Sequence, residues 1–203
     1  MIKEPYMERF YSYHSKYINN ILALRQPQHE SLEIFARLCD TLSLQKFSKT
    51  MEQISDEHQA ELAQVDDEDI AADKKAEKKR KLLQQFSAQA AADFYRDDLQ
   101  AVRQICPTLT SFERDFPSFC FALATGIGKT RLMGACIAYL RYEKGIKNFF
   151  VMAPNLTIYN KLKKDLADNS SPKYVFRGLD LFATPPVIID GDNYASFNDR
   201  SML

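Results

Sequence analysis

The chain has 203 residues, enough for one sizeable core or one domain with a helical appendage. Its 27 basic and 27 acidic side chains cancel, so no overall basic field announces nucleic acid, although a groove can still be locally basic. No apolar run approaches the ~20 residues of a membrane span, and Met1 to Pro5 is no signal peptide, so the expected location is cytoplasmic, with no membrane partner. Cys39, Cys106, Cys120 and Cys136 lack C-x-x-C spacing and read as free thiols. His14, His29 and His58 are scattered and suggest no metal site.

Residues 7–24 predict a first helix, with Phe10, Tyr13, Tyr17, Ile18 and Ile21 on one stripe. Pro27 breaks the chain. A second helix over 29–43 carries Leu32, Ile34, Phe35, Leu38 and Leu42. Residues 44–105 are polar, lack glycine and proline, and are rich in Ala, Gln, Glu and Lys, a composition of long helices. Asp66–Asp69 precede Lys74, Lys75 and Lys78–Lys81. Acid before base suits a helix macrodipole and a solvated hairpin, while six basic residues in eight also fit a clamp on a DNA backbone. Asp56-Glu57-His58 imitates a hydrolytic acidic motif but follows no strand core.

Cys106-Pro107 ends this segment, and Thr108 to Pro117 is a loop. The apolar run Ser118 to Leu123 predicts a strand. It leads into Ala124-Thr125-Gly126-Ile127-Gly128-Lys129-Thr130, and Arg131 to Tyr142 has helical spacing. Strand, glycine turn with Lys-Thr, then helix is the arrangement that cradles nucleotide phosphates on backbone N–H groups. The lysine then reaches the β/γ-phosphates and the threonine hydroxyl takes magnesium. Gly145 ends the helix, and Ile146 to Ala153 predicts the next strand at βαβ spacing. Leu156 to Leu166 reads as a helix capped by Asn155, with Lys161, Lys163 and Lys164 on a face that is either solvated or turned to phosphates. Lys173 to Arg177 suits a short strand. Val187 to Ile189 suits another, with Asp190-Gly191-Asp192 as its exit turn, or with Asp190 as a magnesium ligand. The polar tail from Asn193 to Leu203 closes no element.

Two of these segments resemble a family. Ala124–Thr130, with Leu123 where the general phosphate-loop pattern has glycine, looks like motif I of superfamily-two helicases and translocases. Phe149-Phe150-Val151-Met152-Ala153-Pro154-Asn155 resembles their motif Ia. Leu24-Arg25-Gln26-Pro27-Gln28 is similar to the segment that precedes motif I there. The nearest likeness is to the ATPase motor in the res subunit of type III restriction enzymes and its DEAD/DEAH-box relatives. The resemblance implies an α/β fold, an incomplete RecA-like P-loop NTPase parallel sheet with an N-terminal helical region. It divides the chain into helices over 1–43, a helical hairpin or insertion over 44–107 and a partial ATP-binding domain over 108–203.

It further implies ATP and magnesium as cofactors. Lys129 and Thr130 would be the catalytic pair. Gln28, Thr125, Gly126, Ile127, Gly128, Lys129, Thr130 and Arg131 would bind the nucleotide, with Gln28 reading adenine and Thr130 holding magnesium. Pro154 and Asn155 would lie near a nucleic-acid backbone. The implied partners are double-stranded DNA and a modification methyltransferase subunit. The family's acidic motif II is missing after Lys129, where Glu143 is the nearest glutamate. The expectation is therefore the front piece of a larger motor, weak in hydrolysis alone. The rival classes are a small P-loop phosphotransferase and a non-catalytic interaction module with a vestigial nucleotide site.

Overall fold

The computed structural model describes residues 13–196 apart from positions 46, 113 and 115. Phe10 and the end of the tail, 197–203, lie outside the described residues. The chain forms two compact units. One combines Met1–Arg37 with Phe121–Leu203, and the other is Leu38–Cys120.

The first unit is built on four helices: α1 (Tyr13–Leu22), the first part of α2 (Gln26–Thr41), α7 (Lys129–Glu143) and α8 (Leu156–Ala167). α1 buries Ser15, Ile18 and Leu22 and packs against α7. Its stripe is narrower than the sequence suggests, because Tyr13 and Ile21 are exposed. α2 starts at Gln26, so Pro27 sits in its first turn and does not break it. The missing proline N–H has no intrahelical acceptor there in any case. Tyr139, Phe176, Ile18, Leu32 and Leu179 are among the most deeply buried side chains of this unit. Phe176 and Phe182 stack with ring centroids 4.1 Å apart.

The expected RecA-like parallel sheet is not there: among the described residues there is no β-strand, and the regular structure is helical. Ser118–Leu123, Ile146–Ala153 and Val187–Ile189 are irregular segments, and Lys173 to Arg177 is a chain of turns. The physical reason lies in what these residues touch. A parallel strand is covered on both faces and hydrogen-bonded along its edges. Phe150 is instead 90% exposed, Met152 80% and Val187 64%. An apolar run of this length does not by itself distinguish a strand from other backbone. The burial that a sheet would have supplied comes from α1, α2, α7 and the turns at 174–182. The turn segment is anchored by Val175 N–H, which donates to Asp165 O of α8 at 2.9 Å.

The second unit contains α3 (Met51–Glu57), α4 (Gln59–Gln64), α5 (Ala72–Phe94) and α6 (Arg96–Arg103). α3 opens on a capping box: the Thr50 hydroxyl accepts from Gln53 N–H, and the Gln53 side chain accepts from Thr50 N–H. The core gathers Leu38, Leu42, Tyr95, Val102 and Phe112, flanked by Phe47, Leu99 and Phe119. Tyr95 ties the connection before α3 to this core. Its hydroxyl donates to Gln45 O at 3.1 Å and accepts from Phe47 N–H at 3.0 Å. The acidic loop before α5 folds back on the basic start of that helix. Lys79 pairs with Asp66 at 2.7 Å, Lys78 pairs with Glu68, and Lys75 donates to Asp66 O. These contacts hold much of the basic cluster against the chain's own carboxylates.

Candidate nucleotide site

α7 begins without a side-chain cap. Gly128 is its N-cap, in the left-handed region at φ +92°, and Gly126 two residues earlier is at φ +81°. Two such residues turn the chain sharply into the helix, a geometry that costs glycine little and side-chain-bearing residues more. The first N–H groups of any α-helix lack intrahelical acceptors, and with no capping side chain here they remain available to an anion. Gly128 O accepts from Arg131 N–H at 3.0 Å and Leu132 N–H at 3.2 Å, which closes the first turn. Thr125, Gly126, Gly128 and Lys129 are exposed, while Ile127 and Thr130 are half-buried. Lys129 has no ion-pair partner among the described residues.

The segment before α2 holds this turn from behind. Gln28 is buried at 2% exposure. Its Nε2 donates to Gly128 O at 2.8 Å, and its Oε1 accepts from Arg25 N–H at 2.8 Å. The Arg25 guanidinium donates to Gly126 O at 3.2 Å. Both glycine carbonyls of the turn are therefore engaged by residues about a hundred positions earlier. The structure thus brings Gln28 together with Gly126, Gly128 and the start of α7. Arg131 points elsewhere, donating to Leu22 O at 3.2 Å and joining the end of α1 to α7. Arg25 had no role assigned from the sequence. Its place three residues before Gln28 was the available signal.

Pro154 and Asn155 lie in the exposed turn leading into α8. Asn155 caps that helix, its Oδ1 accepting from Ile158 N–H at 3.0 Å. Neither takes part in the network around Gly126 and Gly128.

Asp190 is committed within the protein. Its carboxylate accepts from Tyr159 O–H at 2.7 Å and pairs with Lys163 at 2.6 Å, both on α8. It also accepts the backbone N–H groups of Asp192 and Asn193 at 3.0 and 3.2 Å. The Lys163 ammonium, then the Tyr159 hydroxyl, hold its carboxyl well below the usual aspartate range. The same contact raises the Lys163 and Tyr159 pKa values. This is an Asx-type exit turn pinned to α8. Glu143 is likewise engaged, with His14 at 2.6 Å. No group of three or more His, Cys, Asp or Glu side chains able to hold a metal occurs among the described residues. Nor is any helix among them long and apolar enough to cross a membrane.

The model of the family described as "Type III restriction enzyme, res subunit" matches residues 21–198 of this sequence. The chain belongs to that family. The match spans both the Arg25–Gln28 segment and the loop it supports. Membership in the res-subunit family makes this a helicase-like, ATP-binding protein of restriction-enzyme type. No curated protein and no solved structure gave a significant match.

Proposed function

We propose that this chain supplies the ATP site of a res-subunit motor that moves along double-stranded DNA in the longer protein. The observation that carries the reading is the uncapped start of α7 behind Gly128, with Lys129 exposed beside it. Backbone N–H groups at a helix start bind phosphate oxygens, and a flexible ammonium next to them adds a full positive charge. Lys129 contacts the β/γ-phosphates, and the 125–128 backbone forms the cradle. The Thr130 hydroxyl, in the first turn of α7, is placed to ligate a phosphate-bound magnesium. Such an ion keeps several waters and needs few protein ligands, so the absence of an acidic cluster is compatible with it. Magnesium supplies charge neutralisation at the phosphates. Phosphoryl transfer also needs a residue that orients the attacking water. Asp190 and Glu143 are both engaged in ion pairs of their own, so binding without appreciable turnover is the behaviour proposed for this chain alone. Pro154 and Asn155 border the nucleic-acid path in this reading. A modification methyltransferase is the partner subunit of the full system.

The test is an ATP titration in magnesium with the chain and its Lys129→Ala variant. Removing the ammonium should weaken binding by about tenfold or more, as loss of a charge-assisted phosphate contact does. Equal affinity in the two proteins would remove the reading.

A further inference from the structure

Gln28 is placed where the family resemblance expects an adenine-reading amide, but its surroundings assign it different work. The amide is closed off from solvent at 2% exposure. Its oxygen is taken by Arg25 N–H and its nitrogen by Gly128 O, each at 2.8 Å. The orientation follows from the partners, since one offers only a donor and the other only an acceptor. A Cβ on Gly128 would come within 2.5 Å of Gln28 Nε2, so amide and turn are in close packing. To read a base edge the amide would have to leave both partners and cross that contact. Arg25 reinforces the arrangement by donating to Gly126 O.

Holding a carbonyl fixes the peptide plane that carries it. Gly126 O and Gly128 O are bound from the α2 side, so the two glycines keep their left-handed conformations. Their neighbouring N–H groups are then ready for phosphate before any ligand arrives. A turn with two glycines would otherwise sample many conformers and bind phosphate at a larger entropic cost.

We propose that Gln28 and Arg25 are positioning residues that pre-organise the phosphate turn, and that Gln28 does not select the base. The proposal rests on the nucleotide-site reading above and specifies how that site discriminates. The ligand class is a nucleoside triphosphate recognised through its polyphosphate, with little discrimination among bases.

The decisive probe is inorganic tripolyphosphate, which has no base. It is titrated beside ATP, GTP, CTP and UTP in magnesium, with the whole chain and its Gln28→Ala and Arg25→Ala variants. The chain should bind the four nucleotides within about threefold of one another. Gln28→Ala should weaken tripolyphosphate and ATP by the same factor, about five- to tenfold, and leave the ratios among the bases unchanged. Arg25→Ala, at an exposed side chain, should do the same to a smaller degree. If Gln28→Ala fails to fold, the isosteric Gln28→Glu places a carboxylate oxygen against Gly128 O and is read in the same way. A preference for ATP of tenfold or more that disappears in the Gln28 variant, with tripolyphosphate binding unmoved, would overturn this proposal and leave the ATP-site reading intact. No binding of any polyphosphate by the unmodified chain would overturn both.

Discussion

Lys163 on α8 and Asp190, 27 positions later, meet at 2.6 Å, and the carboxylate of that pair is almost wholly buried. Tyr159, one turn earlier on the same helix, donates to the same oxygen at 2.7 Å. This contact fastens the turn after Val187–Ile189 to α8, and it makes stability depend on acid. Asp190 has a folded pKa below its unfolded value. Its contribution is therefore complete above the ordinary aspartate value of about 4 and is lost as pH falls below it. Lys163 has the opposite shift, so the same contact persists to pH values above the ordinary lysine range before failing. The urea midpoint of the chain should exceed that of Asp190→Asn at neutral pH, and the gap should narrow between about pH 5 and pH 3. A gap independent of pH would mean that the charge on Asp190 contributes nothing.

Gly134 tests the packing beneath the nucleotide loop. It lies in the buried face of α7, and a Cβ there would sit 2.8 Å from both Cβ and Cγ2 of Val175. Glycine in a helix interior ordinarily costs about 1 kcal/mol relative to alanine. Overpacking a filled site costs about 1–3 kcal/mol. Val175 is itself buried and tied through its N–H to Asp165 O, so it has little room to retreat. Gly134→Ala should therefore destabilise the chain by roughly 1 kcal/mol net instead of stabilising it, as measured by urea denaturation. A gain in stability would show that the turn at 174–176 moves freely.

Much of this arrangement was legible in advance, and the failures have a common cause. Helix signals are local. Asn155 before α8, Gly145 after α7 and the glycine-free run through α5 each act within a turn of their own position. The Gly126–Thr130 turn is local in the same sense, since two left-handed residues and an uncapped helix start are written in consecutive residues. A strand is different, because its hydrogen-bond partners lie elsewhere in the chain. Phe149 to Met152 has the composition of a buried strand, yet Phe150 and Met152 stand in solvent. Apolar composition specifies that a segment can be buried and is silent on whether a neighbour covers it. The engagement of Gln28 and Arg25 with the loop was hidden for the same reason, being a contact across about a hundred residues. Pro27 was misplaced by a rule applied too broadly, since proline breaks a helix interior and fits a first turn.

In the second unit, Asp98 is a buried carboxylate in the first turn of α6. It accepts both Ser43 N–H at 2.9 Å and the Ser43 hydroxyl at 2.8 Å. The pair closes the segment after α2 onto α6, beside the Tyr95 contacts with Gln45 and Phe47. Hydrogen bonds to a charged acceptor contribute about 1.5–3 kcal/mol net, and the outward side of Ser43 can recover water, which favours the lower end. Asp98→Ala should cost roughly 1–2 kcal/mol by urea denaturation. Ser43→Ala removes the hydroxyl contact and keeps the N–H contact, so it should cost less. Equal losses in the two variants would show that the backbone contact carries nothing.

Gly128 separates stability from ligand binding at a single residue. Its φ of +92° is costly for any other residue, and a Cβ would meet Gln28 Nε2 at 2.5 Å. The contact is with the end of a side chain, so Gln28 can yield, but only by giving up Gly128 O. Gly128→Ala should therefore lose about 1–2 kcal/mol of stability from the left-handed backbone. It should lose more in polyphosphate affinity than Gln28→Ala does, because it disturbs the turn directly as well as its support. The check is to titrate tripolyphosphate with both variants at a temperature where circular dichroism shows each fully folded. If Gly128→Ala binds tripolyphosphate as the unmodified chain does, the turn between Gly126 and Lys129 is not where phosphate sits.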